Sequence, residues 1–363
     1  MKGIICEKAG EPFKIVDNLV VPEPSPDQIL VKSIYMALNP VDGMMRSLGI
    51  LVQEWPLGLG VDVGGVVVKA GENAAPMFKV GDHVCGSTRL GYPGYNSGQE
   101  YLLMDAKVTI PKPKNLSLVE AATIGAGLET AGLALFDCLD VKLPNLQEVL
   151  EGKHAPEEKG EWAVVLGGAS TVGKFAIQAG IILPELLFLL FTICGYKVMA
   201  SCSTNSVPLV KKQGAEAVFD YKKPIEEQVK DVLGITKGNV HRVFDAASSG
   251  DAFTKELFKK LPVEGPKLFC STNTWSGITD FEGGKTKNVQ LGHIGRPHEE
   301  HVNKVLAEYI PVFVALFEQG NQLFPPPYDL VGQGGFEDAL EAHQYQQKGA
   351  GGSNKVVVKI QDE

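Results

Sequence analysis

The segment Trp162–Gly173 has the residue types and order that bind a diphosphate. Apolar residues Trp162–Leu166 end on Gly167 and Gly168, and small polar residues lead to Gly173 and a helix-like stretch. A buried strand, a glycine turn and a helix N-terminus in this order direct backbone N–H groups and the positive end of the helix dipole at one point. This predicts a dinucleotide site and redox chemistry, although the glycine spacing is looser than Gly-x-Gly-x-x-Gly. The residues expected to meet the diphosphate are Ser170, Thr171, Val172 and Gly173.

Length and composition indicate a two-domain globular protein. The chain has 363 residues, of which 44% are hydrophobic and 21% are charged, and its formal net charge is −9. This length favours about two domains, and an acidic chain without a basic stripe disfavours nucleic acid as a partner. Six scattered cysteines indicate reduced thiols rather than disulfides or a zinc site. The N-terminus has strand-like alternation and no signal-peptide pattern, so we expect a cytoplasmic protein.

The elements that must position the glycine turn fall into two patterns along the chain. Residues 1–124 contain short β-like runs separated by turn residues, typical of a β-barrel-like domain. Ser117 and Glu120 form a capping-box signature for a helix from Leu118, and residues 142–161 have a charged, loop-like composition. After Trp162, strands and helices alternate, which predicts a doubly wound parallel sheet. The chain ends in a predicted helix and a final strand.

One apolar segment, Ile181–Ile193, interrupts the α/β pattern. At 13 residues it is too short for a membrane-spanning helix, which needs about 20. Pro184 should interrupt any helix that continues from Gly173. Three interpretations stay open: a lengthened buried helix, a surface for a partner or membrane, or translated non-coding sequence. The third follows because Gln178 could continue directly into Cys194 if the segment were removed.

The motifs together resemble the medium-chain dehydrogenase/reductase superfamily. They include Asn39-Pro-Val-Asp42, Gly60–Gly71, Val80–Gly86, Gly167–Gly173 and the stretches Gly214–Tyr221 and Asn354–Val358. Three further motifs, Gly127–Ala134, Gly295-Arg-Pro297 and Gln333–Phe336, are similar to fungal trans-acting enoyl reductases of the lovastatin type and their TOXD-like relatives. The resemblance implies a GroES-like β-barrel domain over 1–124 and 320–363. It also implies a Rossmann NADP-binding domain over 125–319, which carries the apolar insertion at about 181–193.

The resemblance also bears on metal binding. Zinc-dependent relatives place a cysteine early in the first domain and a His-Glu pair further on, where this chain has Asp42-Gly43 and Val61-Asp62. The stretch 90–98 lacks the four cysteines of a structural zinc loop. Because zinc needs about three protein ligands for catalysis and four for structure, we predict no metal.

Cofactor choice is indicated at the end of the second Rossmann strand. NAD-selecting proteins have a carboxylate there, and Ala200–Ser206 has none, so we predict NADPH. The resemblance assigns contacts with the 2′-phosphate to Ser203, Asn205, Ser206 and Tyr221. It places Ser271, Ser353 and Asn354 near the nicotinamide, and Asp42 is expected to be structural or to contact the ribose.

The implied reaction is hydride transfer to an activated C=C bond of an enal, enone or enoyl thioester, with the substrate free or bound to a carrier. Related enoyl reductases have a lysine two residues after Asn-Pro-x-Asp, where this chain has Met44. The residues expected to line the substrate site are Met44, Gly125, Gly127 and Thr130. The catalytic acid–base residue stays unassigned, with Asn39, Arg46, Thr130 and amides near Gly125–Gly127 as the available donors.

Two alternative functions stay open: an NADPH-dependent quinone or aldehyde reductase, and a non-catalytic NADPH-binding protein. Met44 favours the first alternative over the enoyl reductase. The apolar segment keeps the second alternative open. The expected partner is a small-molecule substrate, and neither binding to nucleic acid nor a membrane span is expected. The chain is expected to be a monomer or a homodimer.

Overall fold

The computed structural model describes residues 1–155, 157–180, 188–262, 265–274, 281, 283–319 and 323–363. Within them the chain divides into two compact units. The first unit comprises Met1–Glu129, Leu291–Ile310 and Pro325–Glu363, and the second comprises Thr130–Gln290 and Pro311–Phe324. The predicted limits differ mainly in the segment Leu291–Ile310, which the sequence placed in the Rossmann domain.

The strands in chain order are β1 (Gly3–Cys6), β2 (Lys14–Val16), β3 (Gln28–Leu38), β4 (Leu57–Gly58), β5 (Asp62–Ala70), β6 (His83–Ser87), β7 (Tyr101–Asp105), β8 (Ile110–Pro111), β9 (Trp162–Leu166), β10 (Ala179–Gly180), β11 (Phe188–Leu189), β12 (Lys197–Cys202), β13 (Ala217–Asp220), β14 (Val240–Asp245), β15 (Leu268–Ser271), β16 (Lys285–Asn288), β17 (Tyr328–Leu330) and β18 (Lys355–Lys359). The α-helices are α1 (Pro40–Leu48), α2 (Leu118–Ala121), α3 (Gly125–Gly132), α4 (Leu146–Leu150), α5 (Thr171–Ile177), α6 (Leu190–Ile193), α7 (Val207–Lys212), α8 (Ile225–Thr236), α9 (Asp251–Lys260), α10 (Glu300–Glu318) and α11 (Phe336–Gln347). Three 3₁₀ turns (Ala106–Val108, Thr204–Ser206 and Leu291–His293) and one π turn (Leu133–Cys138) complete the described elements.

The first unit is built on a mainly antiparallel sheet in the order β17-β18-β3-β5-β6-β8. The long strand β3 pairs with β5 on one edge and with β7 and β18 in succession on the other. A smaller sheet has the order β2-β1-β4. Alternating apolar residues of β3, β5 and β7, such as Val31, Val63 and Leu102, pack into one core. This confirms the predicted β-rich first half.

The second unit is a parallel sheet in the order β13-β12-β9-β14-β15-β16. This is the doubly wound Rossmann order 3-2-1-4-5-6, in which ligands bind beyond the carboxyl ends of the strands. Its core joins strand residues such as Val164 and Val243 to helix residues such as Val232 and Leu257. The predicted parallel Rossmann fold is confirmed.

Residues 142–161 of the second unit differ from the prediction, and the apolar segment 181–193 is described only in part. Residues 142–161, predicted as a loop, contain α4, whose N-cap Asn145 accepts hydrogen bonds from the N–H groups of Gln147 and Glu148. Helix α5 ends at Ile177, before Pro184, and β10 pairs antiparallel with β11. The part 181–187 of the apolar segment lies outside the described residues, so the three interpretations of that segment stay open.

Candidate functional site

The glycine turn lies at the carboxyl end of β9, the first strand of the Rossmann order. Gly167 has a φ of +76°, which favours glycine, and its N–H donates to Ser201 Oγ at 2.9 Å. A Cβ on Gly173 would lie 2.3 Å from the Gly167 carbonyl oxygen and 3.0 Å from Gly168 Cα. The turn and the first turn of α5 are therefore in direct backbone contact, which only glycine allows.

Ser170 caps α5 at this turn. Its Oγ accepts a hydrogen bond from the Gly173 N–H at 3.0 Å, as an N-cap serine does. Thr171 and Val172, the first two residues of the helix, are partly exposed. The cap therefore commits the Ser170 hydroxyl and leaves the first-turn N–H groups of Thr171 and Val172 without an intrahelical partner, as at any helix N-terminus. This arrangement fits a diphosphate.

The residues predicted to select the cofactor follow β12 and β13, the next strands in the sheet. Ser203 Oγ and Ser206 Oγ are 3.1 Å apart, and both residues are partly exposed. Asn205 is exposed, and Tyr221 is 52% exposed. The structure thus brings these residues to one edge of the sheet with polar side chains accessible. It adds one feature that the sequence analysis missed, because Asp220 Oδ2 accepts a hydrogen bond from Thr204 Oγ1 at 3.4 Å.

Asp245 at the end of β14 organises the same edge. Its buried carboxylate accepts hydrogen bonds from the N–H groups of Ala247 and Gly250 and from Ser271 Oγ. Burial raises the pKa of Asp245 above its ordinary value, while these hydrogen bonds oppose that rise. The Ser271 hydroxyl also accepts from the Asn273 N–H at 3.0 Å. The Ser271 hydroxyl is fully buried and is engaged with Asp245 and Asn273, and the place of Ser271 near the nicotinamide stays a prediction.

A second group of polar residues is buried in the first unit, where neighbouring strands end together. The register pairs Val356 with Leu38, Ala37 with Asp62, and Asp62 with Ser87. This places Lys355, Asn39 and Asp62 side by side at one end of β18, β3 and β5. The signal in the sequence was a charged residue at the start of an apolar strand, as in Lys355-Val-Val-Val.

Hydrogen bonds join this group into a network. Lys355 Nζ donates to Asp62 Oδ2 at 2.7 Å and to Asn39 Oδ1, and Asn39 Nδ2 donates to Asp62 Oδ2 at 2.9 Å. Asp62 Oδ1 accepts from the Ala126 N–H at 2.8 Å. The side chains of Lys355 and Asp62 are 3% and 0% exposed, so their ion pair is screened little by solvent. We call these residues, with Asn39 and Ala126, the buried network.

Two further carboxyl groups lie beside the buried network. Asp42 is 1% exposed and accepts hydrogen bonds from the Asn39 and Gly60 N–H groups at 2.7 and 3.2 Å. Burial and the nearby Asp62 raise the pKa of Asp42 to about 7, against the effect of its hydrogen bonds and Lys355. Both carboxylate oxygens of Asp42 therefore bind backbone N–H groups inside the first unit, which agrees with a structural role, and its contact with the ribose stays a prediction.

Glu129 is the second carboxyl group. It is fully buried, and its Oε1 accepts a long hydrogen bond, 3.4 Å, from the Ser87 N–H. Burial, and next the Asp62 charge, raise the pKa of Glu129 well above its ordinary value.

The residues predicted to contact substrate lie in different environments. Gly125, Gly127 and Thr130 are buried in α3, and the neighbouring Ala126 N–H is already bound to Asp62. Gly125 has no room for a side chain, since a Cβ would lie 2.5 Å from Asp62 Oδ1. Met44 is 40% exposed on α1. The structure therefore removes one backbone donor, the Ala126 N–H, from those available to a substrate.

The other candidate residues of the first unit make contacts of their own. Asn354 Nδ2 donates to Asp329 Oδ1 at 2.7 Å, and Ser353 is partly exposed beside it. Arg46 donates to the Glu11 carbonyl oxygen at 3.1 Å and lies near His343. Arg46 therefore uses one of its N–H groups within the first unit, and its role as a substrate donor stays a prediction.

A separate cavity of about 880 Å³ lies in the first unit. None of the predicted site residues lines it. Its lining includes the ion pair of Arg89 and Asp105 beside Gly295, and its other acidic and basic side chains nearly balance. The cavity therefore gives no charge preference that would identify a ligand.

No group of three or more histidine, cysteine, aspartate or glutamate side chains among the residues that the structure describes is arranged to hold a metal ion. No helix in the described part of the chain has the length and apolar character needed to cross a membrane. The absence of a metal stays a prediction.

Comparisons with known proteins agree with this architecture. The family "Alcohol dehydrogenase GroES-like domain" matches residues 25–114. The chain is 31% identical over 252 residues to the "Trans-enoyl reductase traG" of Penicillium crustosum, covering 69% of the chain and 64% of that protein. It is 28% identical over 371 residues to the "Dehydrogenase pigH" of Monascus ruber, covering 93% of the chain and 94% of that protein.

A solved structure gives the same fold. An alcohol dehydrogenase superfamily protein from Novosphingobium aromaticivorans superposes with a TM-score of 0.75 and 22% identity, over 99% of this chain and 100% of that one. The alignments with the first four curated relatives span 57% to 64% of those proteins' lengths. The predicted GroES-like and Rossmann fold and the predicted resemblance are confirmed.

Proposed function

We propose that this chain is a reductase of the medium-chain dehydrogenase/reductase superfamily. The proposed reaction is the NADPH-dependent reduction of an activated C=C bond in an enone, enal or enoyl thioester. The observation that carries the proposal is the glycine turn of the second unit. The backbone contact between Gly173 and Gly167, with the Ser170 cap, lies at the carboxyl end of the central Rossmann strand.

The residues at this edge fit a dinucleotide. Gly167 and Gly173 leave no Cβ between the turn and the helix, so a diphosphate can approach the backbone closely. Ser203, Asn205, Ser206 and Tyr221 would meet the adenosine ribose, and a 2′-phosphate there would gain hydroxyl and amide donors. The absence of a carboxylate in Ala200–Ser206 supports NADPH over NADH.

Bound NADPH would supply the hydride. The protein would then hold the cofactor and the substrate in the relative orientation that hydride transfer needs, and it would exclude water from them. As the carbonyl oxygen of an enone becomes negative, a donor beside it lowers the barrier. Thr130 is the side-chain donor that we assign to this role, because the Asn39 amide and the Ala126 N–H both donate to Asp62.

Substrate preference within this chemistry depends on Met44. Proteins named trans-enoyl reductases are among the relatives similar in sequence, and they support a C=C substrate. Met44 carries no charge to attract a phosphate-bearing carrier, and this favours a small free enone or quinone as the second candidate substrate. In the proposed function, the protein acts on a small molecule in the cytoplasm and requires no metal.

A substrate panel tests the proposal. Purified protein is mixed with NADPH and with enones, enoyl thioesters, quinones and aldehydes, while the cofactor absorbance is followed. Oxidation with enones or enoyl thioesters supports the proposal, and oxidation with quinones or aldehydes alone supports the second candidate. Tight NADPH binding without oxidation by any acceptor would reject both enzymatic functions in favour of a non-catalytic binding protein. A preference for NADH would reject the cofactor assignment.

A further inference from the structure

We propose that Lys355 is a positioning residue. It acts through Asp62 and Asn39 to hold the segments that carry the proposed site residues of the first unit in fixed positions relative to one another. The proposal rests on the reductase function above. Lys355 directly follows Ser353 and Asn354, which we assign to the nicotinamide end of the cofactor site. Its ammonium group reaches away from that segment into the buried network.

The contacts of Asp62 extend this link to the substrate segment. Asp62 Oδ2 accepts from both Lys355 Nζ and Asn39 Nδ2, while Oδ1 accepts from the Ala126 N–H between Gly125 and Gly127. One carboxylate thus joins the final strand to the first turn of α3. A side chain with a single oxygen acceptor could not bind both partners in this way.

The contacts of Asn39 extend the link to α1. Asn39 is the N-cap residue of α1, its N–H donates to Asp42 Oδ2, and its Oδ1 accepts from Lys355. Met44, assigned to the substrate site, lies on the same helix. Three segments with proposed site residues, around Met44, Gly125–Gly127 and Ser353–Asn354, therefore meet at one buried ion pair.

Burial makes this ion pair a strong constraint. A buried pair resists the loss of one partner, because the remaining charge is left without compensation. Asp42 is influenced by the charges of both Asp62 and Lys355, and Glu129 and the Cys85 thiol are influenced by the charge of Asp62. Lys355 provides the positive charge that compensates Asp62, its ion-pair partner.

The test separates positioning from stability with a charge-neutral pair of substitutions. Lys355→Met alone leaves Asp62 uncompensated and is expected to destabilise the fold. Lys355→Met combined with Asp62→Asn removes both charges, so the fold should recover while the link to the final strand stays broken. Lys359→Met, at the exposed end of the same strand, is the control because Lys359 pairs only with Asp362 among the described residues.

The measurements are the melting temperature, kcat, KM, NADPH affinity and the deuterium isotope effect on kcat with NADPH labelled at the transferred hydrogen. The double variant should melt within a few degrees of the wild type, yet lose about tenfold or more in kcat. Its isotope effect should rise, because misplacement slows the hydride step itself. Recovery of both the melting temperature and kcat in the double variant would overturn the proposal.

Failure of the proposed reductase function can be distinguished from failure of the positioning role of Lys355. If the wild type reduces no acceptor, the reductase function fails, and the positioning proposal is then decided by amide hydrogen exchange and NADPH affinity. Faster exchange over 125–129 in the double variant, together with weaker NADPH binding, would support Lys355 as the residue that joins the two segments. Unchanged exchange and unchanged NADPH affinity would overturn that role.

Discussion

At the scale of single residues, the glycine turn is the part of the site most tightly constrained by geometry. Gly173 contacts backbone atoms of Gly167 and Gly168, which cannot move aside as a flexible side chain could. The glycine pattern predicted this turn correctly from local spacing alone. The hydrogen-bond partners of Asp42 and Ser271 could not be predicted, because Gly60 and Asp245 lie 18 and 26 residues away and meet them only in the folded chain.

Replacing Gly173 with alanine should separate α5 from the glycine turn. Overpacking of this kind costs about 1–3 kcal/mol, and NADPH affinity should fall about tenfold or more. Fluorescence titration with NADPH measures the loss. Gly234→Ala in α8 is the matched control, because among the described residues no atom beyond its chain neighbours and the backbone of its own helix lies within 4 Å of its Cβ position, and alanine favours the helix. An unchanged NADPH affinity in Gly173→Ala would contradict the assignment of the turn to the diphosphate.

Met44 should decide how well the protein accepts phosphate-bearing substrates. Met44→Lys introduces a cation at an exposed position of α1, so stability should change by no more than about 0.5 kcal/mol. An exposed ion pair with a substrate phosphate should raise kcat/KM for an enoyl-CoA about two- to fivefold, without a similar gain for a quinone. Leu48→Lys, one turn later and 70% exposed, is the control. Equal gains for both substrates, or in the Leu48 variant, would argue against a specific role for position 44.

At the scale of elements, local pattern predicted the strands well and some helices poorly. The strands β3, β5, β12 and β14 have alternating or continuous apolar residues, and these are the strongest local signals. Helices α4 and α8 were not predicted: α4 has only five residues, and α8 lies in a charged stretch. The buried network was also missed, because Asn39, Asp62 and Lys355 are brought together by strand register rather than by proximity in sequence.

Helix α11 should make stability depend on pH through His343. Burial, and next the charge of Arg46, lower the pKa of His343 to about 4, so the neutral form is favoured in the folded state. The unfolded chain, with an ordinary pKa of about 6.5, binds the proton more readily. Stability from this group is therefore complete above pH 6.5 and is lost as the pH falls toward 4.

The loss should amount to about 2 kcal/mol, and His343→Leu should remove this part of the pH dependence. Urea unfolding at pH 7.5 and pH 5 measures it in both proteins. His298→Leu, at an exposed histidine, serves as the control. A His343→Leu variant that loses as much stability as the wild type between the two pH values would show that the acid sensitivity arises elsewhere.

At the scale of the whole molecule, cofactor binding should be visible as added stability. A ligand that binds only the folded state stabilises it by about 2.7 kcal/mol at 100 times its Kd, which corresponds to a rise in melting temperature of roughly 5 °C for a protein of this size. NADPH should give this rise, and NADH at the same concentration should give a smaller one, because Ala200–Ser206 has no carboxylate to bind the ribose 2′-hydroxyl.

Ser206→Asp should reverse this order. The Ser203 and Ser206 hydroxyl groups lie within hydrogen-bond distance of each other at the edge of the second unit. A carboxylate at position 206 would therefore accept hydrogen bonds from ribose hydroxyls and repel a 2′-phosphate. The variant should lose most of the NADPH-induced rise and gain one with NADH. The Asp220 carboxylate already lies at this edge, where it accepts a hydrogen bond from Thr204. Because Asp220→Asn removes this negative charge, it should increase the preference for NADPH. A Ser206→Asp variant that still prefers NADPH would mean that the 2′-phosphate binds outside the Ser203–Ser206 turn.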